Sequence, residues 1–154
     1  NEKNDLLNIR MIGLKNILGY KRIEKIAYSS PNYHNSIIAI NEAMHEDTNH
    51  YIKAWVFLED WPMQGILNFP WSSKKLPIAS MLTSPTSYNA FEQGYVKHFI
   101  MHPYYDWGHL ASQTMVDKLF KNITPSSPNL ITTPILMRND NIEKYKEEWQ
   151  DWLN

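Results

Sequence analysis

Two periodicities take turns along this chain, and that alternation limits its fold more than any single motif. Leu7, Met11, Leu14 and Leu18 recur at helical spacing, and Gly19 follows as a C-terminal cap. RIEKIAY (22–28) then alternates apolar and polar residues as a strand does, and Asn35 is placed to cap SIIAINEAMHED. PIASML (77–82) and YVKHFIM (95–101) read as strands around the helix SYNAFEQ, with Pro85 in its first turn and Gly94 at its end. Trp107, Ala111, Met115 and Leu119 mark one face of a longer helix. LITTPILM (130–137) is rich in β-formers, and Pro134 makes it an edge or crossover strand. Asp140 precedes the closing helix NIEKYKEEWQDWL as its expected cap. The order α-β-α-β-α-β-α-β-α-β-α predicts an α/β fold, a mostly parallel sheet with flanking helices.

The stretch YIKAWVFLEDWPMQG (51–65) organises this pattern. Its first half is a short apolar run of the kind that forms a buried strand. Glu59 and Asp60 stop the run, and Pro62 falls where a missing N–H is tolerated in a first helical turn. Open α/β sheets present polar groups to ligands at such carboxyl ends. Glu59 is therefore a candidate ligand contact, and Asp60 reads as a structural cap of the helix expected from Trp61 to Phe69.

Composition narrows the chemistry. With 154 residues the chain is long enough for one well-packed domain, and a hydrophobic content of 43% excludes a disordered class. A net charge of −1 without a basic run argues against nucleic acid as partner. There is no cysteine, so thiol catalysis and disulfides are absent. Neither a glycine-rich phosphate loop nor a serine-hydrolase elbow occurs. His45 with His50, and His98 with His102, lack a third partner of metal-site spacing, so no metal and no cofactor is expected. Glu59 and Asp60 are adjacent on an extended chain and point to opposite faces, which spoils an acid–base pair; the expectation is not an enzyme. The chain begins at Asn1, which leaves room for a mature, trimmed or truncated product.

Four ordered blocks carry a resemblance: KAWVFLEDWPMQG, LPIASMLTSPTSYNAFEQGYV, IMHPYYDWGHLASQTMVDKLF and TTPILMRNDNIEKYKEEW. In this order they resemble the C-terminal half of type I periplasmic solute-binding proteins, the ribose-binding-like group that serves ABC sugar transporters. The resemblance implies a periplasmic-binding-protein-like I architecture, two α/β lobes closing on a ligand, here incomplete. Residues 1–97 would be part of the C-terminal lobe. Residues 98–154 would be the hinge crossover and the return to the N-terminal lobe, with the terminal hinge strand and helix. A crossing helix without its own sheet would expose its apolar face, so either a second chain or fragment completes the fold or this chain rearranges; standing alone, it is expected to form a dimer or larger assembly through helix 104–120.

The family's contacts carry over residue by residue, with changes. Tyr33 falls where the family stacks an aromatic on a sugar; the alternative is a loop tyrosine covering the core edge. Glu59 replaces a ligand-binding Asn, and Asp60 matches the Asp that follows. Leu82 replaces a ligand Asp. The hinge Gln position falls on Met101 counted from Pro103 and on His102 counted from Gly108. Trp61 either stacks on the ligand or covers the helix start. The implied function is extracytoplasmic binding of a small polar solute, sugar-like or related, for delivery to an ABC permease. The alternative is a sensing module of the same fold feeding a membrane kinase or a transcription regulator. The implied location is periplasmic or extracellular, with or without a membrane anchor.

Overall fold

The computed structural model describes residues 5–71, 75–82 and 86–153, leaving aside the side chains of 82, 86 and 148–153. Four strands form one sheet in the order β1-β2-β3-β4, with β1 at Trp55–Val56, β2 at Ile78–Leu82, β3 at His98–Met101 and β4 at Ile135–Met137. The first three run parallel, with Trp55 opposite Ile78 and Ala79 opposite His98. β4 returns antiparallel, Phe99 opposite Met137. Pro134 lies just before β4 and has no N–H to donate, which suits a strand at the sheet's edge. The helices are α1 (Asp5–Leu18), α2 (Tyr33–Glu46), α3 (Thr86–Glu92), α4 (Tyr104–Lys121) and α5 (Ile142–Leu153). The fold is thus mixed α/β, a sheet flanked by helices.

One sheet face is well buried. Trp55, Phe57, Ile78, Phe99 and Met137 pack there with Ile37, Ile40 and Ala43 of α2 and with Met63 and Ile66 of a 3-10 helix, Trp61–Asn68. Burying each such large side chain contributes about 1.5–3 kcal/mol. Trp55 stacks on Trp71 with ring centroids 6.1 Å apart, and Phe69 meets Phe57 edge-on at 6.0 Å. Gly65 is required where α2 crosses the 3-10 helix, because a Cβ there would lie 2.9 Å from Ile37 Cγ1. On the other face Val56, Ile100 and Leu136 are each at least 40% exposed.

Several local expectations are met. α1 ends at Leu18, and Gly19 follows at φ 75° with its N–H donating to the Lys15 carbonyl. Gly94 ends the turn after α3 at φ 77°. α4 forms over the expected stretch and has no buried residue, so its apolar positions Met115, Leu119 and Phe120 are exposed.

Others need correction. Residues 22–28 form no strand: Tyr20–Arg22 is a 3-10 turn, and 23–30 pair with no strand among the described residues. Alternation gives a segment the pattern of a strand, but a ladder needs a neighbour, and none pairs with it among the described residues. β1 is shorter than the apolar run. Its bonds to β2 extend through Phe57, whose N–H donates to the Ala79 carbonyl at 2.9 Å. The helix after it is 3-10, not α. Asn32, not Asn35, caps α2; its Oδ1 accepts from the Asn35 N–H at 2.9 Å. α5 starts at Ile142, so Asn141 rather than Asp140 directly precedes it, and the Asn141 Oδ1 accepts the upstream Arg138 N–H at 2.8 Å. Pro85 lies outside the described residues.

Candidate functional site

Parallel strands end at the same edge of a sheet, so the residues after β1 and β3 are brought together there. After β1 the chain turns through Leu58, Glu59 and Asp60 into the 3-10 helix. After β3 it passes His102 and Pro103 into α4. α1 adds the third component. Arg10 Nη1 donates to Glu59 Oε1 at 2.6 Å and to the Leu58 carbonyl at 2.7 Å, while Nη2 lies 3.3 Å from His102 Nε2.

Guanidinium nitrogens only donate, so His102 must present Nε2 as an acceptor and carry its proton on Nδ1. Burial holds the His102 pKa below its ordinary value, and the neighbouring Arg10 charge pushes the same way against an opposing pull from Glu59. The imidazole is thus a neutral acceptor. Its ring faces Trp107 at 5.4 Å and Tyr104 at 5.9 Å, and these two meet edge-on at 5.1 Å. Burial raises the Tyr104 pKa; Arg10 opposes that, and Asp60 and Glu59 add to it. Trp107 Nε1 donates to Thr132 Oγ1.

The candidate residues separate clearly. Glu59 and His102 belong to the cluster. Met101 does not: it is buried in the core, whereas the next residue, His102, lies beside Arg10. Trp61 is partly exposed and, with Glu59, lines a cavity beside the cluster. Tyr33 opens α2, and its Cδ2 would lie 3.0 Å from a Cβ at Gly65. Leu82 ends β2 opposite Met101, and its side chain lies outside the described residues. Asp60 needs a correction. It sits buried at the N-cap position, but its side chain makes no capping bond; its carbonyl accepts the Met63 N–H at 2.8 Å instead.

Sequence reasoning missed Arg10, Tyr104 and Trp107 as site residues. A signal for Arg10 was present: it stands three residues after Leu7 and four before Leu14, on the half-buried stripe of α1. A charge there calls for a partner.

The cavity beside the cluster measures about 960 Å³ and is walled by α1, α2, the segment 21–31 and residues 51–59. Among the described residues no three His, Asp or Glu gather to hold a metal ion, and no helix is long and apolar enough to cross a membrane. Chemically, the cluster offers fixed hydrogen-bonding groups beside flat aromatic rings. No family model, curated protein or solved structure matches the chain.

Proposed function

We propose that this chain is a solute-binding module of the type I periplasmic architecture, acting outside the cytoplasm and delivering a small polar ligand to an ABC permease. The observation that carries this reading is the Arg10–Glu59–His102 cluster at the carboxyl ends of β1 and β3. Arg10 already answers the Glu59 charge, so the ligand need not be cationic. The second Glu59 oxygen suits a hydroxyl donor and the His102 Nδ1–H a hydroxyl acceptor, and Trp61, Tyr104 and Trp107 suit the apolar faces of a sugar or polyol. Binding is non-covalent, without a cofactor. Calorimetric titration with a panel of sugars, polyols and amines tests it: a saturable heat that Glu59→Gln removes supports the reading, and silence across the panel refutes it.

A second reading is a sensor of the same fold that passes occupancy to a membrane kinase or regulator. The exposed apolar face of α4, with Leu119 and Phe120, favours it because such a face suits a protein contact. A gene neighbourhood holding a histidine kinase rather than a permease and ATPase would select it.

A further inference from the structure

Among the described residues β1 is the terminal strand of the sheet, and its outer edge pairs with no further strand. The N–H groups of Trp55 and Phe57 turn inward to the carbonyls of Pro77 and Ala79. By the alternation of a parallel ladder, the backbone polar groups of Ala54, Val56 and Leu58 face the other way. The Leu58 carbonyl is taken by Arg10 Nη1. Ala54 and Val56 join no further ladder among the described residues.

The segment 23–28, which has the alternation of a strand and no ladder among the described residues, lines the same cavity as residues 51–59. Leu7, Met11 and Leu14 of α1 and Ala39 and Ile40 of α2 close it from the sides. An unpaired strand edge, a strand-patterned segment and two helix faces thus line one cavity.

We propose that this slot receives one extended polypeptide strand, apolar at its centre and acidic at its flanks, from another protein, which thereby extends the sheet beyond β1. Strand addition supplies the main-chain partners that a small solute cannot. Matching residues 52–58 takes about seven residues, roughly 23 Å at ~3.3 Å each. The acidic flanks follow from charge. Lys21, Arg22 and Lys53 on the lining outnumber Glu24, while Lys25 is paired with Glu46 and Glu59 with Arg10. The slot lies along the β1 edge and stands whether or not Glu59 takes a solute.

The test uses the full chain and the synthetic peptide acetyl-Glu-Val-Ile-Val-Ile-Val-Asp-amide, followed by calorimetry and residue-resolved amide exchange. Expected is saturable one-to-one binding that slows exchange at Ala54 and Val56 by about tenfold or more. Val56→Pro, which removes an outward N–H not used by β2, should weaken binding by at least about tenfold. Ala39→Trp, which fills the slot from α2 without touching the ladder, should do the same and guards against a misfolded proline variant. Binding that leaves Ala54 and Val56 unprotected overturns the proposal, as does equal binding of a peptide with central proline. Equal binding of a lysine-flanked peptide overturns the acidic assignment. Protection that rises with protein concentration in the absence of peptide assigns the slot to a second copy instead and also overturns it.

Discussion

Arg10 and Glu59, separated by 49 positions in sequence, meet at 2.6 Å and join α1 to the end of β1. Their side chains are 16% and 29% exposed, enough burial for the pair to matter more than a solvated surface bridge. A double-mutant cycle with Arg10→Met and Glu59→Gln should give a coupling of about 1 kcal/mol in urea unfolding. Strict additivity would show that α1 is held by its apolar stripe alone.

His102 makes stability depend on pH. Its folded pKa is lowered below the ordinary 6.5 by burial and by Arg10, so the unfolded chain binds the proton more readily. Stability should therefore rise as pH increases from the folded pKa to about 6.5, and fall on acidification through that window. His102→Gln keeps an acceptor for Arg10 and should flatten this part of the profile. Thermal melts from pH 5 to 8 on both proteins check it, and an unchanged slope would reject the assignment.

Gly65 is a packing requirement. A Cβ would sit 2.9 Å from Ile37 Cγ1 and 3.0 Å from Tyr33 Cδ2. Gly65→Ala should destabilise by about 1–3 kcal/mol. Adding Ile37→Val, which shortens the clashing side chain, should recover part of the loss relative to Ile37→Val alone. If the two changes simply add, the contact is not the cause.

Phe99 is fully buried on β3, opposite Met137. Phe99→Ala should cost about 3–5 kcal/mol and loosen the antiparallel β3–β4 pair first. Amide exchange at Leu136 and Met137 would reveal this, and protection equal to that of the parent protein would contradict it.

α4 should drive self-association, since Leu119 and Phe120 are 76% and 82% exposed on a helix with no buried residue. Light scattering should find a dimer or larger assembly that Leu119→Glu with Phe120→Glu dissolves. A monomer at high concentration with a cooperative melt would refute this.

Local order was legible in the residues themselves. The stripe Leu7-Met11-Leu14-Leu18 with Gly19 yields α1 and its end, and Pro134 marks β4 as a marginal strand. The acids after the Tyr51–Leu58 run mark the sheet end where the cluster forms. These signals are local because helix and strand periods are properties of consecutive residues. The tertiary structure decided the rest. It left the strand pattern of 23–28 without a ladder, since pairing depends on a neighbouring backbone that alternation cannot supply. It sent Met101 into the core and His102 to Arg10, because strand register settles which of two adjacent residues faces inward. It also answered the Glu59 charge with Arg10 from helix α1, a partner that no local pattern specifies because charges attract through space and not along the chain.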